Sequence, residues 1–355
     1  MNVYFDVQQL YYVPQYSPVQ QRLEILGVEC IYVFYRDVSL VQQQEAVAIS
    51  LGARVIWVAD QCEARELYLK DSPSWVVIGN YFEGLEAVHV NSKTALLSHG
   101  IGPKSCYYTV SDSMPSVRFV EGPYRAKRLE GLYPYSKFVD TGYAKLDPVV
   151  NGTLGGCNLG DLGLDSTKIT LLYAPTYYPS SIECFSKDFP HNFKEYNIIV
   201  KPHFFSLTNP KYKKQKMLLE SWSKAENVYL AGVDEVNILP FMAISDLLIS
   251  DASSTLFEYA ALDKPIVWCD FYKLRWGYRG LFKYRFDNRM DADLYKYSDI
   301  ALHAKSYGDL KGCVDSQIES PQEFSEKRMK HSLQLAGVVD GKVGLRIAQF
   351  MVENE

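Results

Sequence analysis

Residues 245–271 have the sequence SDLLISDASSTLFEYAALDKPIVWCDF, which predicts a buried strand, a short polar turn, a helix and a second strand in succession. The run LLIS is apolar and strand-sized, and the serines and threonine that follow it are typical of helix N-termini. Thr255 and Glu258 have the spacing of a capping box. The stretch therefore indicates a β-α-β unit of a parallel sheet.

The same alternation of apolar runs and amphipathic segments extends over most of the chain. VYFDV, CIYVFY, RVIWVA and WVVIGN are strand candidates in the first third, and KITLLYAP, YNIIVKPHF and NVYLAG precede the stretch quoted above. A segment rich in Gly, Asn and Asp at 148–166 separates the two series. We therefore predict an α/β protein with two Rossmann-like domains of mostly parallel sheet, at 1–150 and 166–330, facing a central cleft. Residues 331–355 are predicted to be helical, with packing back on the first domain as an option.

Composition narrows the class of protein. The chain has 355 residues, 47% hydrophobic and 22% charged, which is enough for two cores without disulfides. The seven cysteines show no CxxC spacing, which favours reduced thiols in the cytoplasm over an oxidised or zinc-bound framework. A net charge of -5 disfavours nucleic acid as a partner. We find no export signal and no apolar window of membrane-spanning length, and peripheral contact with the inner face of a membrane stays open.

Three predicted strand ends in the second half carry side chains that suit a phosphate. Ligands of open parallel sheets bind where the strands end, because backbone amides and helix N-termini meet there. Three sets of side chains would face such a ligand. They are the hydroxyls at the start of a helix, a lysine and a histidine after one strand, and a threonine after another. The set is Thr176, Lys201, His203, Ser253, Ser254 and Thr255. The alternative is structural, because Ser and Thr also cap helices and a turn histidine can bond to backbone.

His99 is the candidate general base of the first half. It follows the apolar run TALLS and precedes Gly100 and Gly102, so it lies at a strand end beside a loop that can approach a substrate closely. A histidine in that position can accept a proton near neutral pH. The alternative is a structural histidine held by loop carbonyl groups.

Taken together and in order, four motifs resemble the CDP-glycerol glycerophosphotransferase family, the teichoic-acid and capsule polymer synthases of the GT-B fold. They are HG before a Gly/Pro/Lys loop, YAPT, a strand ending in KPH, and the stretch at 245–271. The resemblance covers about residues 96–286, and YRG at 278–280 resembles the family's Arg-Gly loop. It departs in HGIGPK, where many members carry HGTPLK, and about the first ninety residues match no motif that we can specify.

The resemblance implies transfer of glycerol phosphate from CDP-glycerol to a hydroxyl of a cell-surface glycan or polymer, with release of CMP and without a cofactor. His99 would deprotonate the acceptor, which attacks the β-phosphorus, and Gly100 and Lys104 would lie on the acceptor side. His203 would act at the donor phosphates. The donor-binding set would be Thr176, Lys201, Asp251, Ser253, Ser254, Thr255, Glu258 and Arg279. Asp251 would orient the phosphate loop or the polyol, and Glu258 would reach a ribose hydroxyl. No Asp-x-Asp pair lies in a plausible site, so we expect a metal-independent reaction.

Other functions are open from the sequence alone. A GT-B glycosyltransferase would use the same strand ends with a nucleotide-sugar donor and would release a nucleoside diphosphate. A nonhydrolysing sugar-nucleotide epimerase shares the architecture but needs acid/base carboxylates that we cannot assign. A catalytically silent nucleotide-binding module is disfavoured by two histidines at predicted strand ends.

Overall fold

A computed structural model describes residues 1–103, 108, 115–154, 157–251, 253–274, 278, 280–282, 284 and 292–355. Lys104 and Arg279, both predicted site residues, lie outside these described residues. The chain divides into two compact units. The N-terminal unit comprises Met1–Gly152 and Leu333–Glu355, and the C-terminal unit comprises Thr153–Ser332.

A seven-stranded sheet forms the centre of the N-terminal unit. Its strands are β1 (Asn2–Val7), β2 (Glu29–Tyr35), β3 (Arg54–Val58), β4 (Trp75–Ile78), β5 (Lys93–Leu97), β6 (Val117–Val120) and β7 (Phe138–Asp140). They lie in the order β3-β2-β1-β4-β5-β6-β7, and every pairing is parallel. The four strand candidates of the first third are confirmed as β1 to β4, and the apolar run TALLS before His99 is confirmed as β5. β6 is an additional strand.

The helices of this unit connect and cover the strands. They are α1 (Val13–Ile25), α2 (Val41–Ser50), α3 (Gln61–Asp71), α4 (Leu85–Val88), α5 (Pro123–Leu132) and α6 (Asp147–Val150). Gly27 and Gly52 follow α1 and α2 with φ of 78° and 62°, the left-handed conformation that ends helices and favours glycine.

A six-stranded sheet forms the centre of the C-terminal unit. Its strands are β8 (Thr170–Tyr173), β9 (Asn197–Val200), β10 (Val228–Leu230), β11 (Leu247–Ser250), β12 (Ile266–Cys269) and β13 (Leu302–Ala304). Their order is β10-β9-β8-β11-β12-β13, again with parallel pairings. All residues of β8, β9, β11 and β12 are buried, which explains why these strands appear in the sequence as continuous apolar runs.

The C-terminal unit has seven helices among its described residues. They are α7 (Phe189–Asn192), α8 (Phe205–Thr208), α9 (Lys213–Trp222), α10 (Leu239–Ile244), α11 (Thr255–Ala260), α12 (Tyr307–Glu319) and α13 (Ser325–Leu335), the last of which crosses the boundary between Ser332 and Leu333. In the part of the chain that the structure describes, no helix has the length and apolar character to cross a membrane.

The last helix, α14 (Val343–Glu353), packs in the N-terminal unit. The indole Nε1 of Trp75 donates to the carbonyl oxygen of Met351 at 3.1 Å. The backbone N of Gly344 donates to Asp147 Oδ2 at 2.7 Å. A Cβ at Gly344 would lie 2.6 Å from the Pro18 carbonyl oxygen, so a glycine is needed for this close approach. The chain therefore returns from the second sheet to complete the first unit.

Both sheets have a point where the strand order reverses. In the N-terminal unit the chain passes from β1 outward through β2 and β3 and then returns to β4 on the other side of β1. In the C-terminal unit it passes from β8 through β9 and β10 and returns to β11. The loops that follow the two central strands diverge at such a point and leave a crevice at their carboxyl ends. Thr176 and Asp251 follow the central strands β8 and β11, whereas Lys201 and His203 follow the neighbouring β9 and His99 follows β5, the neighbour of β4.

Candidate active site

Asp251 is the central link of the C-terminal strand ends. It follows β11 directly, and its side chain is 0% exposed. Its Oδ1 accepts from the backbone N of Thr176 at 2.7 Å, and its Oδ2 accepts from the backbone N and from Oγ of Ser181, both at 2.9 Å. The carboxylate thus fastens the loop after β8 to the end of β11. Asp251 is a positioning residue for Thr176, and its buried carboxylate faces this loop rather than solvent.

Burial raises the pKa of Asp251 to about 6, although the bonds from Ser181 and Thr176 act in the opposite direction. The ordinary pKa of an aspartate is about 3.9. The pKa of Asp251 is higher in the folded protein than in the unfolded chain. The contribution of this residue to the free energy of unfolding is therefore fully present below about pH 4 and is lost as the pH rises through about 6. The loss amounts to about 3 kcal/mol over this window.

Asp251→Asn removes this titration and is expected to flatten the pH dependence of the C-terminal unit. Asparagine has an NH₂ group where the carboxylate accepted a bond, so we expect a pH-independent loss of about 1–3 kcal/mol. Relative to this variant, the wild type should lose about 3 kcal/mol of unfolding free energy between pH 4 and pH 7. Urea denaturation across this range measures the difference, with exposed Asp188→Asn as the control. A constant difference across the range would contradict the assignment.

His203 follows β9 and is oriented by its own turn. The backbone N of Phe205 donates to His203 Nδ1 at 3.2 Å, so a neutral imidazole carries its proton on Nε2. The ring lies 4.6 Å from the ring of Tyr177, the neighbour of Thr176, and the side chain is partly exposed. The loops after β8 and β9 are therefore in contact, and Nε2 is the ring nitrogen that can donate to an anion.

Lys201 is the first residue after β9, and its backbone N donates to the carbonyl oxygen of Tyr173 at 2.9 Å. Burial lowers the pKa of its ammonium group below the ordinary value, and the carboxylates of Glu235 and Asp234 partly offset this effect. A partly desolvated ammonium group interacts more strongly with an incoming anion than a solvated one.

The turn before α11 exposes hydroxyl groups. Ser253, Ser254 and Thr255 are all partly exposed. Ser253 Oγ donates to Thr255 Oγ1 at 3.0 Å and accepts from the backbone N of Thr255 at 3.3 Å. The predicted capping box is wrong, because α11 already begins at Thr255 and the backbone N of Glu258 donates to the carbonyl oxygen of Ser254 at 3.2 Å.

Glu258 lies on the interior face of α11 and is 2% exposed. Its predicted contact with a ribose hydroxyl would require the side chain to leave this position. The spacing in the sequence could not distinguish an inward-facing from an outward-facing carboxylate in the first turn of so short a helix.

His99 lies after β5 in the N-terminal unit and is surrounded by tyrosines. Its carbonyl oxygen accepts from the hydroxyl of Tyr143 at 2.7 Å, and its ring lies 4.4 Å from that of Tyr11 and 5.3 Å from that of Tyr12. The His99 side chain is partly exposed, and Tyr11 is 43% exposed. A partly solvated imidazole beside aromatic rings is suited to receive a proton from a hydroxyl-bearing ligand.

The loop after His99 is held by a buried arginine. Arg125 donates from Nη1 to the carbonyl oxygen of Gly100 at 3.3 Å and from Nη2 to that of Gly102 at 3.0 Å. Its charge is paired with Glu121 at 2.8 Å, and both side chains are buried. Gly100 is therefore fixed by its backbone. Arg125, Tyr11, Tyr12 and Tyr143 were not predicted from the sequence, because they come from segments far apart in the chain. Only Tyr11 and Tyr12, which are adjacent and follow β1, form a pattern that the sequence shows.

The predicted site residues fall into two groups. Thr176, Lys201, His203, Asp251 and the 253–255 turn all lie at the carboxyl ends of adjacent strands of the six-stranded sheet. His99 and Gly100 lie at the carboxyl end of β5 in the other sheet. Within the described ranges, no group of three or more His, Cys, Asp or Glu residues is placed to hold a metal ion.

Comparison with known proteins identifies the family. The family model described as CDP-Glycerol:Poly(glycerophosphate) glycerophosphotransferase matches residues 105–286, which is slightly more than half of the chain. A teichoic acid glycerol-phosphate primase of Bacillus spizizenii is 36% identical over 110 residues, which cover 29% of this chain. The match spans 26% of the length of that relative.

Solved structures show the same fold. The wall teichoic acid polymerase TagF superposes with a TM-score of 0.66 at 16% identity, covering 100% of this chain and 88% of that one. A UDP-N-acetylglucosamine 2-epimerase superposes with a TM-score of 0.61 at 13% identity, covering 99% and 95% of the two chains. These similarities confirm the predicted α/β fold class of GT-B type. The family model, which matches more than half of the chain, shows that the chain belongs to the CDP-glycerol:poly(glycerophosphate) glycerophosphotransferase family.

Proposed function

We propose that the protein transfers glycerol phosphate from CDP-glycerol to a hydroxyl group of a glycan or polyol-phosphate acceptor and releases CMP. Family membership and the primase relative support this reaction class. The observation that carries the proposal is the arrangement of donors after β8, β9 and β11. There His203 Nε2, Lys201 and the 253–255 hydroxyls lie at neighbouring strand ends.

The proposed chemistry begins at the acceptor. His99 accepts the proton of the acceptor hydroxyl, and the resulting oxygen attacks the β-phosphorus of CDP-glycerol. A new oxygen–phosphorus bond forms while the bond between the β-phosphorus and the oxygen of CMP breaks. The contact of His99 with Tyr11 limits the orientations of the imidazole, and the bond from Tyr143 fixes the backbone carbonyl group of His99. Exposed Tyr11 would add an aromatic face against which the carbon skeleton of a polyol can pack.

The proposed role of the C-terminal strand ends is to stabilise charge on the donor. As the phosphorus–oxygen bond breaks, negative charge accumulates on CMP, and His203 Nε2–H can donate to it. Thr176 is held near the same edge by Asp251, so its hydroxyl would need no reorganisation during the reaction. Ser253 and Thr255 would contact the second phosphate through hydroxyl groups that are already partly exposed.

The identity of the donor is tested by a competition among activated substrates. Purified protein is incubated with a short glycerol-phosphate acceptor and equal amounts of CDP-glycerol, CDP-ribitol and common nucleotide sugars. We expect consumption of CDP-glycerol and release of CMP. A nucleoside diphosphate together with a new glycosidic bond would instead identify the second candidate, a GT-B glycosyltransferase, whose fold the epimerase similarity also fits.

We further infer that the protein works in the cytoplasm, in peripheral contact with the inner face of the membrane. All six described cysteines are free thiols, as expected of a reducing compartment. Cosedimentation with anionic vesicles tests the membrane contact, and absence of binding at low salt would contradict it.

A further inference from the structure

A cavity of about 890 Å³ opens at the amino-terminal edge of the six-stranded sheet. It is lined by segments that precede β8, β9 and β10, among them 163–168, 190–197 and 224–227. The proposed donor site follows the same strands. Because β8 and β9 are four residues long and a strand rises about 3.3 Å per residue, the two sites lie at opposite sheet edges, more than about 13 Å apart.

Two asparagines hold the segments that line the cavity in fixed positions. Asn197 Nδ2 donates to the carbonyl oxygen of Asp165 at 2.7 Å, and this side chain is 1% exposed. Asn227 Nδ2 lies within 3.2 Å of three carbonyl oxygens, those of Pro190, Phe193 and Tyr196. The walls come from separate loops but are fastened to one another. The cavity is therefore pre-formed rather than a gap between independent loops.

The lining carries one more lysine than carboxylates. Its charged groups are four lysines and three carboxylates, together with His191. The lysines are Lys168, Lys187, Lys194 and Lys224. None of them forms an ion pair with another described residue. Among the carboxylates, Asp165 is engaged by Thr167, which donates from its backbone N at 2.9 Å and from Oγ1 at 2.7 Å. These bonds leave Asp165 charged, so the lining has four ammonium groups and three carboxylates, of which the other two are Asp188 and Glu226. Lys168 Nζ also donates to the carbonyl oxygen of Lys194 at 3.1 Å.

We propose that this cavity binds a segment of a polyol-phosphate chain, the kind of polymer that the proposed function would extend. A chain of this class alternates phosphodiester anions with hydroxyl-bearing carbons. Lysines pair with the phosphodiesters, while Asp188 and Glu226 accept hydrogen bonds from the hydroxyls. The volume lies near the upper end of the range of about 300–1000 Å³ for ligand pockets, which leaves room for more than one repeat unit.

The mixed charge and the concave shape favour such a chain over a membrane surface. A flat anionic bilayer would place like charges against Asp188 and Glu226 without offering hydroxyls at matching positions. A flexible polymer can enter a cavity and place its phosphates and hydroxyls separately. Binding of an elongated acceptor here would keep it attached between additions, because a second contact raises its effective concentration at the proposed site.

The test compares two triple charge reversals in the full chain. Lys187→Glu/Lys194→Glu/Lys224→Glu changes the cavity, and Lys211→Glu/Lys213→Glu/Lys214→Glu makes the same change in net charge at exposed lysines outside it. Affinity for a ten-unit glycerol-phosphate oligomer is measured by calorimetry at two salt concentrations. We expect the cavity variant to bind about tenfold more weakly or worse and the control to change by about twofold or less. Equal affinities of the two variants would overturn the proposal.

The same variants separate this proposal from the proposed function. With a two-unit acceptor, CMP release should be unchanged in the cavity variant, whereas products from longer acceptors should become shorter. If the wild type binds the ten-unit oligomer through the cavity lysines but releases no CMP, the polymer site stands and the proposed function fails. If the cavity variant loses binding to anionic vesicles while its oligomer affinity is unchanged, a lipid headgroup is the ligand and the polymer site is wrong.

Discussion

Replacing His99 by alanine is expected to lower kcat by about 10²- to 10⁴-fold while leaving the affinity for CDP-glycerol near that of the wild type. The reason is that His99 is proposed to remove the acceptor proton and makes no proposed contact with the donor. Its carbonyl oxygen, which Tyr143 binds, is retained by alanine, so the loop after β5 keeps this anchor. Initial rates of CMP release, together with direct titration of CDP-glycerol, measure the two quantities separately.

The matched control for this substitution is His191→Ala. His191 is an exposed histidine that lies away from both groups of predicted site residues. The rate of CMP release by His191→Ala with short acceptors should equal that of the wild type. Turnover of His99→Ala within about threefold of the wild type would show that His99 is not the base. A parallel loss of donor affinity and rate would assign it to donor binding instead.

The second large effect is on stability. Arg125→Ala is expected to lower the unfolding free energy by about 3–5 kcal/mol at neutral pH, because it leaves the buried carboxylate of Glu121 without its partner. It also removes the donors to the carbonyl oxygens of Gly100 and Gly102. Burial raises the pKa of Glu121, so the carboxyl group can take up a proton and the deficit should shrink as the pH is lowered.

Chemical denaturation followed at pH 7.5 and pH 5 measures this effect. Lys127→Ala, an exposed change on the same helix, is the control and should stay within about 0.5 kcal/mol of the wild type. Replacing both partners, as Arg125→Met/Glu121→Leu, should recover part of the loss because neither member of the pair is then left buried without the other. An unfolding free energy of Arg125→Ala within about 1 kcal/mol of that of the wild type at pH 7.5 would contradict the pairing of Arg125 with Glu121.

Much of the fold could be predicted from the sequence because its strands are buried on both faces. Each of β8, β9, β11 and β12 consists only of buried residues, so each appears as an apolar run. β6 escaped prediction because Arg118 interrupts its apolar pattern. In the fold that arginine is 1% exposed and donates from Nη2 to Ser98 Oγ at 3.2 Å. β13 escaped prediction because its three residues, Leu302–Ala304, include a single large apolar side chain.

The candidate site was predictable only where its residues follow a strand in the sequence. His203 and the 253–255 hydroxyls were identified because they come directly after apolar runs. The bond from Thr176 to Asp251 joins residues 75 apart and depends on β8 lying beside β11. The contact between Tyr11 and His99 likewise depends on how the chain is arranged around the first sheet. The order of strands in a sheet is a tertiary property, and the apolar periodicity of the sequence does not specify it.

The most direct test of the proposed reaction is to quantify CMP and new phosphodiester bonds together by ³¹P NMR and chromatography. The protein is incubated with CDP-glycerol and a glycerol-phosphate acceptor. We predict one CMP for each phosphodiester formed, with loss of both products in His99→Ala. Absence of CMP under conditions where the protein is folded, or CMP release with free glycerol phosphate and no new phosphodiester, would contradict polymer extension as the function.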